Sequence, residues 1–162
     1  MNKVFALLAL SFFSYSAHAV DGVYLGGQIG AVGMTGTRSD TTIGFDVDLG
    51  LRANSIVDVV FHFQTSSHPG RTVYAPHLSA EIHYADVNDF DFTIGVGPGM
   101  YFFNSPVGTD TNFGLNFGTA VDLKLDEAIR LGLGARYHLV FSPAIGNNFW
   151  SFMFRAGYFF EW

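Results

Sequence analysis

From Val20 onward the chain alternates apolar residues with polar residues or glycine in eight successive segments. Alternation with a period of two predicts β-strands that have one apolar and one polar face. The last segment is the clearest, because Trp150 and Phe152 share one face while Ser151 and Arg155 share the other. Turn residues separate the segments, so the pattern predicts eight consecutive antiparallel strands.

The connections between the predicted strands alternate in length. Tight turns are predicted at 52–56, 85–89 and 126–128, and longer loops at 32–41, 65–72, 103–111 and 142–149. Short turns at one end and longer loops at the other are typical of outer-membrane barrels. The predicted fold class is therefore all-β, an eight-stranded antiparallel up-and-down transmembrane β-barrel.

Composition indicates which face of the sheet points inward. Apolar residues make up 49% of the chain and charged residues only 14%, which suits an outer face in contact with lipid. Glycines such as Gly95, Gly97, Gly132 and Gly134 recur on the polar face, where side chains would compete for space inside a narrow tube. The alternative is a soluble barrel with an apolar interior, but it requires charged residues on the outside of every strand.

Residues 1–19 have the three parts of a secretory signal peptide. Lys3 supplies the positive charge, residues 4–13 form a short apolar stretch, and Ala17-His18-Ala19 supplies the cleavage site. A buried N-terminal helix is the alternative. We expect residues 1–19 to be removed and residues 20–162 to form the barrel.

The C-terminal strand carries a second sorting signal. Arg155, Gly157, Phe160 and Trp162 have the spacing of the insertion signal that ends bacterial outer-membrane barrels, with Trp162 where phenylalanine is commoner. The chain thus resembles the small eight-stranded outer-membrane proteins, namely the OmpA transmembrane domain, OmpX and OmpW-like barrels. This resemblance implies export to the outer membrane of a Gram-negative bacterium, contact with outer-membrane lipid and lipopolysaccharide, and help from the barrel-assembly machinery during insertion.

The inward positions carry a predicted charge network. Its members are Asp46, Asp48, Arg52, Asp58, Glu81, Asp91, Asp122, Lys124, Arg130, Arg136, Arg155 and Glu161. Unpaired charges are costly in a narrow lumen, so we expect the network either to plug the tube or to act as a gate. Because side chains fill the bore of an eight-stranded barrel, a plug is favoured.

Two arginines of this network are expected to be neighbours. If the final hairpin pairs residue 137 with residue 154, Arg136 and Arg155 lie side by side. They must then share carboxylates, for which Asp46, Asp48 and Glu81 are the candidates.

The sequence therefore predicts a structural outer-membrane protein with a polar lumen filled by side chains, or at most a very small pore. The first alternative is a porin-like channel for small or apolar solutes. Pro76 and Pro98 are predicted to lie opposite each other or one step apart, each removing a ladder hydrogen bond. The resemblance to OmpW-like barrels implies sideways release of apolar solutes at such a break.

The second alternative is a lipid-modifying enzyme, since His77, Ser79 and Glu81 have the composition of a lipid deacylase site. All three face the predicted lumen, away from lipid, so no catalytic residues are predicted. The histidines 62, 77, 83 and 138 lack a metal-binding spacing and are interpreted as interior polar residues, and neither a metal nor a cofactor is predicted.

Two features of the composition exclude further functions. The chain has no cysteine, which excludes disulfides and thiolate metal sites, and its net charge of −6 argues against a nucleic-acid partner. The sequence leaves the oligomeric state open.

Overall fold

A computed structural model describes residues 22–35, 40–142 and 147–161. The strands are β1 (Gly22–Met34), β2 (Thr41–Arg52), β3 (Val57–His68), β4 (Arg71–Val87), β5 (Phe90–Ser105), β6 (Gly108–Lys124), β7 (Ile129–Phe141) and β8 (Phe149–Glu161). Each strand pairs with its chain neighbour, and β1 pairs antiparallel with β8, so the sheet is a closed barrel. The predicted fold class, an eight-stranded antiparallel barrel, is confirmed.

The predicted signal peptide and Trp162 lie outside the described residues, as does the side chain of Glu161. Within the described ranges, no helix has the length and apolar character needed to cross a membrane.

The two faces of the sheet follow the predicted alternation. In β2, for example, Ile43 and Phe45 on the outer face are 63% and 53% exposed, whereas Asp46 and Asp48 on the inner face are 4% and 0% exposed. The outer face is thus an apolar surface, and the polar side chains are enclosed.

The two ends of the barrel differ less in loop length than the sequence predicts. We call the end that carries Gly22, Glu161 and the connections 53–56, 88–89 and 125–128 the terminal rim, and the opposite end the loop rim. At the loop rim the connections 35–40 and 142–148 are long, but 69–70 and 106–107 are two-residue turns. The prediction of longer loops at 65–72 and 103–111 is wrong, because those residues continue the ladders up to His68↔Arg71 and Ser105↔Gly108.

The predicted register of the final hairpin, β7–β8, also needs correction. Tyr137 pairs with Trp150 and not with Phe154, so Arg136 lies opposite Ser151, four residues along β8 from Arg155. An even shift leaves every side chain on its predicted face, which explains why the inward assignment survives the error.

The two prolines are offset rather than opposed. The pair His77↔Gly99 places Pro76 opposite Met100 and Pro98 opposite Leu78. The offset arises because Asn88, with φ of 57°, and Asp89 form a two-residue turn and a register shift follows between His83 and Ala85.

Candidate functional site in the barrel lumen

The half of the lumen nearer the loop rim contains a layer of apolar side chains beside the buried polar Gln64, Ser66 and His68. This apolar layer consists of Val32, Met34, Val73, Ala75, Tyr101, Phe103, Val140, Phe149 and Met153, all buried. Tyr101 packs edge-on against Phe149, with 5.8 Å between ring centroids. The lumen of this half is thus mixed, and the predicted polar filling describes only part of it. The sequence does not assign several of these residues to the lumen because they fall in stretches predicted as loops, namely Val32, Met34, Phe103 and Phe149.

Below the apolar layer lies a buried cluster of acids and arginines. Arg136 Nη2 is 2.9 Å from Glu81 Oε1, and Arg155 Nη2 is 3.6 Å from Glu81 Oε2. Arg155 also faces Asp122, with 3.5 Å between its Nε and Oδ1. Glu81 is thus shared between the two arginines, which are brought together by a carboxylate from the opposite wall rather than by the final hairpin.

The other two candidate acids of this cluster contact a histidine. His62 Nδ1 lies 2.6 Å from Asp48 Oδ1 and 3.4 Å from Asp46 Oδ2, while its Nε2 lies 3.3 Å from Glu81 Oε1. Gln28 also donates to Asp48, at 2.7 Å. We call Asp46, Asp48, Glu81, Asp122, His62, Arg136 and Arg155 the central cluster.

Three buried imidazoles connect the central cluster to the apolar layer. The rings of His62 and His77 are stacked with 4.6 Å between centroids, and His77 meets His138 edge-on at 5.0 Å. His138 in turn stacks on Phe149 at 4.1 Å and receives or donates a hydrogen bond of 3.2 Å with Tyr101. The sequence identifies these histidines as interior residues, but only the structure shows that they form one column.

A second ionic group lines the terminal rim. Arg52 pairs with Asp58 at 3.2 Å, Arg130 pairs with Asp91 at 2.8 Å, and His83 lies between the two aspartates at 3.0 and 2.9 Å. Lys124 pairs with the exposed Asp86 at the edge of this group. Arg52 and Arg130 also stack on the ring of Phe159, at 4.0 and 4.6 Å from its centroid.

Lumen glycines give these long side chains the room they need. A Cβ at Gly95 would lie 3.3 Å from Glu81, one at Gly118 would lie 3.2 Å from Arg136, and one at Gly134 would lie 3.4 Å from Arg155. These distances are tight, so the glycines allow the charged chains to lie flat against the wall and reach across the bore.

The β4–β5 ladder is interrupted beside the two prolines. The register is continuous from Tyr74↔Phe102 to Ala80↔Val96, but between these two pairs only His77↔Gly99 is paired. Asn116, fully buried on β6, bridges the gap from inside by donating to Leu78 O at 3.0 Å and Gly97 O at 2.8 Å. We call this region the proline seam. On its outer side lies an apolar groove of about 270 Å³ whose lining includes Phe61, Pro76, Leu78, Pro98, Met100 and Phe113.

The residues with deacylase composition do not form a nucleophile–base pair. Ser79 Oγ donates to Asn116 Oδ1 at 2.7 Å and receives Arg136 Nη1 at 2.6 Å. His77 uses Nδ1 for Ala75 O, at 2.8 Å, and Nε2 for Arg136, at 2.9 Å. A serine nucleophile needs a base within hydrogen-bond reach, and the His77 nitrogens are engaged elsewhere.

The enclosed space in the lumen is very small. A cavity of about 10 Å³ lies beside Asp46, Glu81, Arg136 and Arg155. A single water molecule needs roughly 10–15 Å³ by this measure, so this cavity has room for about one water. A more open polar cavity of about 330 Å³ lies at the terminal rim, where Arg52, His83, Asp91 and Arg130 line it.

Comparison with known proteins identifies the fold. No protein-family model and no curated sequence matches the chain. Among solved structures, neisserial surface protein A (NspA) aligns with a TM-score of 0.72 and 14% identity, over 86% of this chain and 97% of that one. The chain shares the fold of the small eight-stranded outer-membrane barrels.

Two Pseudomonas aeruginosa structures support the same conclusion. The N-terminal β-barrel domain of OprF aligns with a TM-score of 0.63 and 13% identity over 83% of this chain and 97% of that one. The outer membrane protein OprG aligns with a TM-score of 0.59 and 12% identity over 91% and 99%. The resemblance predicted from the sequence is confirmed at the level of the fold.

Proposed function

We propose that this protein resides in the outer membrane of a Gram-negative bacterium as a closed barrel with a structural role, conducting at most through a very small pore. Its surroundings are outer-membrane lipid and lipopolysaccharide. In this proposal the signal peptide directs export, and the barrel-assembly machinery inserts the chain by its terminal strand. The apolar outer face, with side chains such as Phe45, Phe113 and Phe152 more than half exposed, supports the membrane location.

The filling of the lumen supports a closed barrel. An ion crossing it must pass the apolar layer, the central cluster and the ionic group at the terminal rim, and the enclosed cavity of about 10 Å³ holds about one water. A hydrophobic constriction excludes ions by dewetting, and it lies here in series with side chains that are tied together by salt bridges.

Planar-bilayer recording of the refolded chain tests this proposal. We expect no discrete conductance steps from the wild type, and steps from a variant that combines Tyr101→Ala, Phe149→Ala and Arg136→Ala. The control is Phe45→Ala, which shortens an outward side chain and leaves the bore unchanged. Regular steps from the wild-type chain would contradict a closed lumen.

Location is tested separately, by fractionating cells that express the full chain. We expect the protein in the outer-membrane fraction with Val20 as its first residue. Recovery of a chain that still begins at Met1 in that fraction would contradict cleavage after Ala19.

The proline seam favours a second candidate function, the sideways release of apolar solutes into the membrane. The interrupted ladder weakens the wall between β4 and β5, and the groove outside it is apolar. Leu78 and Pro98 lie opposite each other across the seam, so replacing both with cysteine allows a disulfide to lock it. If the seam is a route, oxidation lowers the flux of an apolar dye into vesicles and reduction restores it. Equal flux in both states would contradict this route.

The third function considered is that of a lipid-modifying enzyme. We propose that the protein does not have this activity. Mass analysis of lipid A from cells with and without the protein tests this. An acyl-chain difference that disappears with Ser79→Ala would contradict a non-enzymatic role.

A further inference from the structure

The central cluster contains more negative than positive charge. It holds four carboxylates and two guanidinium groups: Glu81 and Asp122 contact the arginines, whereas Asp46 and Asp48 contact His62. Protonation of His62 supplies one more positive charge and leaves one carboxylate unbalanced. In a buried site an unbalanced charge is costly, so either a further cation or a proton on one carboxylate would balance the cluster.

Two atoms identify where that cation would bind. Asp46 Oδ1 and His62 Nε2 are buried and have no hydrogen-bond partner, although their residues are only 4% and 0% exposed. One ligand atom each from Asp46, His62 and His77 lie within 4.8 Å of one another. Of these three residues, only Asp46 borders the small enclosed cavity.

The hydrogen bonds of both histidines suit a metal ligand. His62 directs Nδ1 at Asp48 Oδ1, at 2.6 Å, and His77 directs Nδ1 at Ala75 O, at 2.8 Å. Metal-binding histidines commonly donate one ring N–H to a carboxylate or a backbone carbonyl, which fixes the tautomer and leaves the other nitrogen for the metal. Nδ1 is thus engaged in both imidazoles, while Nε2 of His62 lies 3.3 Å from Glu81 Oε1 and Nε2 of His77 accepts from Arg136 Nη1 at 2.9 Å, a contact that a metal ion would replace.

We propose that Asp46, His62 and His77 bind a divalent transition-metal ion inside the barrel, with Asp48 and the Ala75 carbonyl as orienting partners. Mixed imidazole and carboxylate donors suit Zn²⁺ and its neighbours in the first transition series. With His62 neutral, a charge of +2 balances the four carboxylates and two arginines of the cluster. Binding replaces the contact of Arg136 with His77, and Arg136 retains Glu81, Ser79 and Asn116.

The site would connect β2, β3 and β4 at mid-lumen, and so would stabilise the closed barrel. It does not depend on the proposed location or on whether the lumen conducts, since it rests only on side chains of the described residues. Failure of metal binding would leave the proposed function intact, and conductance by the wild type would leave the metal site intact.

Metal binding is tested on chain refolded in detergent with Zn²⁺ present, so that slow entry into a filled lumen does not limit occupancy. After gel filtration in metal-free buffer, we expect one zinc per folded chain. Refolding with Co²⁺ should give the visible absorption of a tetrahedral site. Zinc should also raise the urea midpoint of the wild type, because a ligand that binds only the folded state stabilises it.

Substitutions distinguish the proposed metal ligands from a histidine outside the site. Asp46→Asn and His77→Gln should weaken Zn²⁺ binding by at least the 10–100-fold typical of the loss of an outer-shell partner. The matched control is His83→Gln, because His83 also lies between two carboxylates but belongs to the terminal rim. Heat-modifiable migration in SDS reports whether each variant is folded. A folded wild type that retains no zinc, or retains it equally in Asp46→Asn, would overturn the proposal and indicate that protons balance the cluster.

Discussion

Arg136 Nη2 lies 2.9 Å from Glu81 Oε1, across the bore from β7 to β4. The other oxygen of the same carboxylate faces Arg155, so one acid from one wall holds two arginines from the other. All three side chains are almost fully enclosed, with 11%, 6% and 7% of their surfaces exposed for Arg136, Glu81 and Arg155.

Glu81→Gln should therefore destabilise the barrel severely. The amide keeps the shape of the side chain but removes the charge that both arginines share, and breaking a buried ion pair from one side costs about 3–5 kcal/mol. The measurement is the urea midpoint of the chain refolded in detergent. The control is Asp86→Asn, which breaks the exposed pair with Lys124 and should cost less than about 1 kcal/mol. Equal midpoints for the two variants would contradict a shared buried carboxylate.

Gly157→Ala should also lower stability, for a steric reason. The ring of Tyr24 lies directly over Gly157, at a distance that a Cβ cannot share. Overpacking of this kind costs about 1–3 kcal/mol, measured again as a shift in urea midpoint.

The matched control is Gly27→Ala on the outer face, where the nearest atom to a Cβ is 3.7 Å away. It should be neutral or slightly stabilising. Tyr24→Ala should relieve the clash in the Gly157→Ala background, and strict additivity of the two changes would argue against the contact.

The strands and their faces follow from the sequence because a period-two pattern is local and insensitive to register. The register of the final hairpin, which sets Arg136 opposite Ser151 and not opposite Arg155, does not follow from this pattern. Hairpin register depends on turn geometry. The long connection between β7 and β8 hides that geometry from the sequence. The error of four residues preserves parity, so both arginines still point inward.

The contents of the lumen are predicted less well for a different reason. Closing the sheet brings residues from distant strands together, such as Glu81 on β4 with Arg155 on β8. No spacing along the chain records such contacts. His62 and His77 illustrate the same limit, because they lie on separate strands and show no metal-binding motif.

Asn116→Ala should loosen the proline seam without unfolding the barrel. The change removes the donors to Leu78 O and Gly97 O, and each buried acceptor left unsatisfied costs about 1–3 kcal/mol. Hydrogen exchange measures the effect, since amides of β4 and β5 beside the prolines should exchange faster while those of β1 and β2 keep their rates. Asn104→Ala, which removes an exposed hydrogen bond with Thr109, should leave the seam amides unchanged. Uniform acceleration across all strands would instead indicate global destabilisation.

Phe159 and Phe160 are adjacent on the terminal strand but should fail in different ways when shortened. Phe159 is 3% exposed and its ring packs against the guanidinium groups of Arg52 and Arg130, whereas Phe160 is 47% exposed on the outer face. Phe159→Ala should cost about 3–5 kcal/mol of stability, as for other buried phenylalanines. Phe160→Ala should cost less, because lipid or detergent fills the space that the ring leaves and no cavity remains. In cells the order of severity should reverse, because Phe160 belongs to the predicted insertion signal. Phe160→Ala should accumulate unassembled in the periplasm. Phe159→Ala should reach the membrane but lose its resistance to heat in SDS. Normal assembly of Phe160→Ala would show that Phe160 is not part of the insertion signal. An unaltered urea midpoint for Phe159→Ala would contradict its packing against Arg52 and Arg130.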